Sequence, residues 1–204
     1  GIVYIDKEGT CVSPLYTWEE ERGNCFTTDT DKENGTDFGR KAVDQETAAA
    51  MACDTAAMEA QSEKAAHLTY AQQLSNLTGY PMATGFGLTT HYYNLKNNLV
   101  PKQAMTFCTI HDYIAMKLIG RKKPLMTASD AASFGCFDVE KMCFDAEALK
   151  RAGIDASVLP ECTADFSLVG TTAEKIPVAA AIGDNQASVI GALRSMEKSL
   201  LINI

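Results

Sequence analysis

The chain has 204 residues, of which 46% are hydrophobic, so it suits one sizeable globular domain or a large part of a two-domain protein. Its 26 acidic and 18 basic residues give a formal charge of −8, and no basic cluster is longer than residues 121–123. This balance argues against a nucleic-acid partner. No apolar run approaches the roughly 20 residues that cross a bilayer, so we expect no membrane partner.

The cysteines contain no C-x-x-C pair, and none is spaced from a histidine as zinc ligands are. An odd number of cysteines without such pairs is typical of reduced thiols. The sequence therefore predicts a cytoplasmic protein without a disulfide framework or a metal site. The seven cysteines are Cys11, Cys25, Cys53, Cys108, Cys136, Cys143 and Cys162.

The first part of the chain predicts a hairpin, a loop and helices. Residues 1–17 are rich in strand-forming residues on both sides of a Lys-Glu-Gly turn, which is typical of a β-hairpin. Residues 23–39 predict an exposed loop, because Gly, Asn, Asp and Thr dominate them. Helix formers from 44 to 76 predict two helical segments, which end at Gly79 and Pro81.

The central part predicts helices separated by turns. We expect a short helix at 89–97, a longer one at 105–120, a turn-rich segment at 124–138 and a helix at 145–152 that Gly153 ends. The longer helix is expected to face the core through an apolar stripe. That stripe consists of Ile110, Tyr113, Ile114 and Leu118.

The last part predicts a strand, a sharp turn and a helix in direct succession. Residues 176–182 form an apolar run of strand length, 183–185 are turn residues, and 186–193 are small and apolar enough for a helix packed on a sheet. Residues 200–204 predict one more strand. The mixture of strands and helices, without an internal repeat, predicts an α/β fold.

Asp184 is the main candidate for chemistry. It follows a predicted strand and therefore lies at the carboxyl edge of a sheet, where open α/β folds bind their ligands. One interpretation is structural, since Asp is a favoured helix N-cap. The other is a general base, because phosphoryl transfer to an alcohol needs a group that orients the hydroxyl and accepts its proton.

Two further polar or aromatic positions have both a structural and a functional interpretation. Asp130 lies among small residues. It could belong to a solvated turn and cap local amides, or it could form a second polar site. Trp18, the only tryptophan, ends the predicted hairpin and is followed by charged residues. It suits either the core or the wall of a sugar-binding cleft.

Several well-defined motifs do not occur. The sequence has no G-x-x-x-x-G-K-[ST] loop, no G-x-G-x-x-G after a strand, no G-x-S-x-G elbow and no H-E-x-x-H. The absence of these motifs argues against P-loop NTPases, dinucleotide-dependent enzymes, α/β-hydrolases and zincins.

Several strings occur in the order in which the FGGY family of carbohydrate kinases has them. AIGDNQASVIGAL (181–193) resembles the family's G-D-[NQL]-x-[AG] segment, and the strings I-H-D-Y, P-L-M, A-A-S and F-D lie in family order within 109–138. T-G-F-G at 84–87 and T-W-E-E-E-R at 17–22, in place of W-x-D-x-R, fit the same order. The chain resembles this family over most of its length.

The resemblance implies a ribonuclease-H-like (actin-like) domain of a two-domain sugar kinase. It implies Asp184 as the catalytic base, Asn185 as a residue that holds the sugar, and Trp18 at or near the pocket. The implied reaction uses ATP and Mg²⁺ to phosphorylate a small-molecule sugar, a ketose such as sedoheptulose or a related polyol. Asp130 would shape the cleft without being catalytic.

The departures from the family pattern predict an incomplete domain. The first strand with its D-x-G-T/S phosphate motif and a Met-His pair have no counterpart, and Glu20 replaces the Asp of W-x-D-x-R. Residues 1–197 are expected to form most of the N-terminal, sugar-binding domain, and 198–204 the first strand leading to a nucleotide domain. The ATP site is expected to be largely absent from this chain, and an exposed sheet edge to favour association, for instance as a homodimer.

Three alternatives stay open at this point. The chain alone could be an inactive structural piece of its parent, or an actin-like domain used for regulatory binding without phosphorylation. A hydrolase with Asp184 and Asp130 as a carboxylate pair would need a separation of about 5–9.5 Å.

Overall fold

A computed structural model describes residues 1–27, 68–164 and 167–193, together with 195, 197 and 198. Most of the predicted loop at 23–39, most of the predicted helical segment at 44–76 and the predicted strand at 200–204 lie outside the described residues. No helix within the described ranges is long and apolar enough to span a membrane.

The described residues form an α/β structure of short strands and helices. The strands are β1 (Ile2–Ile5), β2 (Thr106–Thr109), β3 (Leu125–Thr127), β4 (Phe137–Asp138), β5 (Cys143–Phe144), β6 (Glu161–Thr163), β7 (Leu168–Thr171) and β8 (Pro177–Ala179). The helices are α1 (Tyr70–Thr78), α2 (Gly87–Lys96), α3 (Ile110–Leu118), α4 (Ala128–Phe134), α5 (Ala146–Arg151) and α6 (Asp184–Ala192). Single 3₁₀ turns occur at Glu21–Asn24 and Ala156–Val158.

The strands pair two by two over the described residues. β1 pairs antiparallel with β2, so that Ile2 faces Thr109 and Ile5 faces Thr106. β3 and β6 are parallel, whereas β4 with β5 and β7 with β8 are antiparallel. The pairing of β1 with β2 brings the chain's first segment beside the start of α3.

The predicted N-terminal hairpin is confirmed. The amide of Ile2 donates to the carbonyl of Tyr16 at 2.8 Å, and the amide of Tyr16 donates back at 3.0 Å. The turn between the two arms is closed by a hydrogen bond of 3.0 Å from the amide of Asp6 to the carbonyl of Thr10. Asp6 also accepts from the amide of Thr10 through its side chain at 2.8 Å.

The core is built around β1, β2 and the helices that cover them. All four residues of β1 are buried: β2 pairs along one edge, α3 contacts the strand, and His91 of α2 contacts Tyr4. The ring of Phe107 stacks on Phe134 with centroids 5.5 Å apart. A side chain at Gly87 would place its Cβ 2.7 Å from the Phe134 ring, so glycine permits the close approach of α2 and α4.

Three predicted helices are confirmed, with small shifts. α1 ends at Gly79, whose φ of 79° is the left-handed conformation in which glycine ends helices. α2 covers nearly all of the predicted segment 89–97 and begins two residues earlier. α5 is capped at its N-terminus by Asp145, whose side chain accepts from the amide of Ala148.

The predictions for 105–120 and 124–138 were wrong in part. Residues 106–109 form a strand, since β1 offers them an antiparallel partner, and only Ile110–Leu118 is helical. The apolar stripe does not face the core: Ile114 and Leu118 are 52% and 54% exposed, whereas Asp112 and Met116 are buried. The predicted turn-rich segment contains β3 and α4.

The end of the chain also differs from the prediction. The apolar run 176–182 forms only the three-residue strand β8, in an antiparallel pair with β7. α6 has no buried residue, so the expected packing of this helix on a sheet is wrong for the described chain. The order of strand, turn and helix is confirmed.

Candidate functional site

Asp184 is the first residue of α6 and is exposed. The N-cap of this helix is Gly183, in extended conformation and without a side-chain cap, so the interpretation of Asp184 as the N-cap is wrong. One carboxylate oxygen, Oδ1, accepts from the amide of Asn185 at 2.8 Å. The carboxylate therefore stands at the positive end of the helix with capacity for a further ligand.

Asn185 is exposed on the same first turn of α6. The amino group of Gly1 lies close enough to Asp184 for the two charges to interact; burial lowers the pKa of this amine, and Asp184 opposes that change. Gly1 in turn packs against Tyr16 and Thr17. Gly1 is thus near both Asp184 and the end of the hairpin.

Trp18 is 75% exposed, which excludes the interpretation as a core residue. Its backbone is held in place although its indole is not. A Cβ on Gly85 would lie 3.0 Å from the carbonyl oxygen of Trp18, and the hydroxyl of Thr84 donates to the carbonyl of Glu20 at 2.7 Å. The segment after the hairpin is therefore fixed against the loop that precedes α2.

Arg22 provides a second attachment of this segment. Its Nε donates to Glu20 at 2.8 Å, its Nη1 donates to Asn94 at 2.6 Å, and its guanidinium lies 4.5 Å from the ring centroid of Tyr16. Glu20, which takes the place of the family's Asp, is thus the ion-pair partner of Arg22. Sequence reasoning left the role of this carboxylate open.

A buried polar chain continues from Asn94 into the core. The side-chain amide of Asn94 donates to the hydroxyl of Tyr4 at 3.3 Å, and that hydroxyl shares a hydrogen bond of 2.9 Å with Nδ1 of His91. Burial lowers the pKa of His91 to about 4, so its imidazole is neutral at neutral pH. Because the chain is neutral and enclosed, it holds α2 on β1 rather than offering a catalytic group.

A further titratable cluster lies where α3 and α4 begin, and it joins His111, Asp112 and Asp130. His111 Nε2 donates to Asp130 Oδ2 at 3.0 Å. Asp112 and Asp130 are only 1% and 3% exposed, whereas the side chain of His111 is partly exposed. One nitrogen or oxygen atom from each of the three side chains lies within 4.8 Å of the corresponding atoms of the other two.

Both aspartates occupy the same position of a repeated T-x-x-D pattern. Thr109 caps α3, accepts from the amide of Asp112 at 3.1 Å and donates its hydroxyl to Asp112 Oδ2 at 2.7 Å. Thr127 caps α4 and accepts from the amide of Asp130 at 3.4 Å. Strand, threonine cap and aspartate are thus repeated at two neighbouring junctions.

Burial raises the pKa of Asp112 to about 7, despite the hydrogen bond from Thr109, and the nearby charge of Asp130 adds to the rise. Its Oδ1 has no hydrogen-bond partner among the described residues. Burial alone would lower the pKa of His111, but the hydrogen bond and charge of Asp130 outweigh burial and leave it raised. The neighbouring acids therefore favour the charged form of His111.

The interpretation of Asp130 as a solvated turn residue is wrong, because it lies buried in α4 and is held by His111. A buried carboxylate of this kind does not face bulk water, which disfavours the hydrolase alternative. Sequence reasoning missed His111 and Asp112, since it considered histidines only beside cysteines. The repeat of T-x-x-D after two apolar segments was the signal that could have found them.

An apolar pocket of about 270 Å³ lies between the loop that precedes α2 and the end of α4. It is lined by Tyr80, Pro81, Met82, Ala83, Phe86, Ala132, Gly135, Cys136 and Phe137. None of Trp18, Asp130, Asp184 and Asn185 lines it, so it is separate from the candidate site at Asp184.

The model of the FGGY family of carbohydrate kinases, N-terminal domain, matches residues 41–191. The chain belongs to this family. It is similar to the sedoheptulokinases of Mus musculus and Homo sapiens, with 33% identity over 130 residues, which is 59% of this chain and 27% of each relative. A glycerol kinase of Koribacter versatilis is 27% identical over 168 residues, which is 79% of this chain and 32% of that relative.

Solved structures of FGGY-type sugar kinases share the fold of the chain. Ligand-bound xylulose kinase from Lactobacillus acidophilus matches 93% of this chain and 34% of its own, with a TM-score of 0.60 and 16% identity. Plasmodium falciparum glycerol kinase with ADP matches 93% of this chain and 33% of its own, with a TM-score of 0.60 and 18% identity. The predicted actin-like fold class is confirmed, and the chain spans about a third or less of these FGGY relatives.

Proposed function

We propose that this chain is the acceptor-binding part of a carbohydrate kinase, and that Asp184 is its general base. The observation that carries the proposal is the exposed carboxylate at the start of α6, directly after the turn that follows β8. Family membership supplies the reaction class, which is transfer of a phosphoryl group to a sugar hydroxyl.

To act as the base, Asp184 needs mainly the correct position relative to the sugar hydroxyl. Its free carboxylate oxygen accepts a hydrogen bond from the sugar hydroxyl, orients the hydroxyl oxygen towards the phosphoryl group and takes up its proton as the new bond forms. Asn185, one residue further on the same turn, can donate and accept hydrogen bonds to neighbouring hydroxyls.

Trp18 suits the apolar face of a sugar ring, because its exposed indole is an amphipathic surface on a fixed backbone. ATP with Mg²⁺ would supply the transferred phosphoryl group. The described residues fit the acceptor side of that reaction: they offer a carboxylate, an amide and an aromatic ring, and the sequence holds no glycine-rich phosphate loop of the P-loop type.

The acceptor in this proposal is a ketose such as sedoheptulose, or a related polyol. The similarity to two sedoheptulokinases supports the ketose, and the similarity to glycerol kinases supports the polyol. We further propose that residues 1–197 form most of the N-terminal domain of a two-domain protein and that 198–204 lead to its nucleotide-binding domain. On this view the chain by itself is inactive.

The test is ADP release by the full-length protein with a panel of ketoses, aldoses and glycerol, repeated with Asp184→Asn. We expect turnover on one sugar class and a loss of kcat of about 10²- to 10⁴-fold in the variant, with little change in sugar affinity. Asp155→Asn is the matched control, since it removes the charge of an exposed aspartate at another helical turn.

A second candidate function is regulatory sugar binding without phosphorylation, which the exposed Trp18 would serve equally well. Folded protein that binds ATP and a sugar but turns over none of the panel would support it. Wild-type kcat in Asp184→Asn would instead reject Asp184 as the base and leave the kinase activity standing.

A further inference from the structure

Gly183, the residue before the proposed base, lies beside the carboxylate of Asp130. A Cβ built on Gly183 would lie at an ordinary van der Waals distance, 3.4 Å, from Asp130 Oδ1, so the space between the two residues has room for about one methyl group. The other near neighbour of that position is the flexible end of Gln186, on α6 itself. The buried carboxylate of α4 thus lies next to the turn that presents Asp184.

Asp130 is held on both sides. Its amide donates to Thr127 at the start of α4, and its Oδ2 accepts from His111 Nε2 at 3.0 Å. His111 lies in the first turn of α3, so the pair links the beginnings of two helices. A carboxylate that is 3% exposed and fixed in this way cannot shift without moving α3 or α4.

We propose that His111 and Asp130 are positioning residues for Asp184: His111 holds the Asp130 carboxylate, and this carboxylate is the support on which the Gly183–Asp184 turn rests. The inference rests on the proposed role of Asp184 as general base. Position matters here because a displacement of about 1 Å at a reacting group can cost about 10²-fold in rate.

The support is needed because, in the part of the chain that the structure describes, α6 has little else beneath it. None of its residues is buried, and its N-cap makes no side-chain hydrogen bond. The position of a helix start of this kind depends on a neighbour that restrains it. Asp130 lies beside Gly183 and is itself anchored by His111.

The charges that face the pair come from several elements. Asp112 lies on α3 beside His111, Asp184 stands at the start of α6, and the amino group of Gly1 interacts with both His111 and Asp184. The hydrogen bond to Asp130 needs only a donor at the place of His111 Nε2. A glutamine amide at position 111 can supply such a donor, whereas an alanine cannot.

The experiment compares kcat and sugar KM of the full-length protein with those of His111→Ala, His111→Gln and Asp130→Asn. We expect His111→Ala to lower kcat about tenfold or more at nearly unchanged KM, and His111→Gln to restore most of the loss. Asp155→Asn again serves as the charge-matched control and should keep wild-type kcat. Equal losses in His111→Ala and His111→Gln would overturn the role of the donor.

The double variant His111→Ala with Asp184→Asn separates positioning from general damage. If His111 acts through Asp184, the double variant should be no slower than Asp184→Asn alone, because the effects of residues that act as a unit do not add. A further loss of about tenfold on top of Asp184→Asn would show that His111 acts by another route and would overturn the proposal.

Gly183→Ala tests the contact from the other side and leaves the buried pair intact. The added methyl group fills the space between the turn and Asp130 Oδ1 and displaces the flexible side chain of Gln186, and we expect kcat to fall several-fold at an unchanged melting temperature, because the turn is partly exposed. Unchanged kcat here, with a large loss in Asp184→Asn, would overturn the positioning inference alone. Wild-type kcat in Asp184→Asn would overturn the proposed base, which is a separate result.

Discussion

Two kinds of strand-to-helix junction in the described chain carry an aspartate in the first turn of the helix. At the starts of α3 and α4 the aspartate is buried, follows a threonine cap and is held by a neighbouring side chain. At the start of α6 the aspartate is exposed, follows a glycine, accepts from the amide of the next residue and lies near the amino group of Gly1.

The difference separates acids that hold the fold from an acid that is available to a ligand. Asp112 and Asp130 make hydrogen bonds with Thr109 and His111, within the protein. Asp184 keeps an oxygen free at the positive end of a helix. The same residue type after a short strand can therefore serve stability at one junction and chemistry at another.

The largest effect should be the loss of kcat in Asp184→Asn. At position 184 we expect kcat to fall about 10²- to 10⁴-fold while the free energy of unfolding changes by less than about 0.5 kcal/mol. Steady-state kinetics and urea unfolding of the same preparations measure both. A stability loss at 184 as large as that at a buried junction would contradict the comparison.

The next effect concerns pH. Because the pKa of Asp112 is raised to about 7 by burial, the folded state keeps a proton that the unfolded carboxyl loses near pH 4. The contribution of Asp112 to the free energy of unfolding should thus be present at low pH and be lost as pH rises to about 7, by up to about 1.4 kcal/mol per pH unit. Urea unfolding across this range measures the slope.

Asp112→Asn removes the titrating group and should flatten that slope between pH 4 and 7. The variant is compared with wild type at each pH, so that groups common to both proteins cancel. Parallel curves for the two proteins would show that Asp112 has an ordinary pKa in the fold.

Removal of either threonine cap should lower the free energy of unfolding by a smaller amount, and the two losses should differ. Thr109→Ala removes both the acceptor for the Asp112 amide and the donor to its buried carboxyl, and should cost about 2 kcal/mol. Thr127→Ala removes one longer hydrogen bond and should cost about 1 kcal/mol or less. Chemical denaturation ranks the two variants, and the reverse order would contradict the contacts.

The smallest effect is expected on the outer face of α3. Ile114 is 52% exposed, so Ile114→Ala should change the free energy of unfolding by less than about 0.5 kcal/mol. Met116→Ala on the inner face should cost about 2–5 kcal/mol, because that side chain is buried. Thermal unfolding of the two variants side by side tests which face of the helix carries the packing.

Local chemistry made much of the fold predictable. The turn between the two arms of the hairpin, the glycine that ends α1 and the Asp145 cap of α5 are signals read from a few neighbouring residues. The family resemblance was equally readable, because its strings occur in order along the chain. The candidate residue Asp184 lies where the order of strand, turn and helix predicts it.

The failures came from long-range partners. Residues 106–109 directly precede the helical pattern, but they pair with β1, about a hundred positions earlier, and form a strand. Asp112 on α3 is buried and lies near Asp130 of the neighbouring helix α4. The sequence left Asp130 open between a solvated turn residue and a second polar site, since its anchor His111 lies on a different helix.

The attachment of the segment after the hairpin has a consequence for ligand binding at Trp18. Arg22, Thr84 and Gly85 already fix the backbone around the indole before any ligand arrives. A ring that stacks there has to immobilise two side-chain torsions rather than a loop, which is an entropic cost of about 0.5–1.5 kcal/mol. Affinity at this surface would then depend on the shape of the ligand's apolar face more than on the folding of the protein around it.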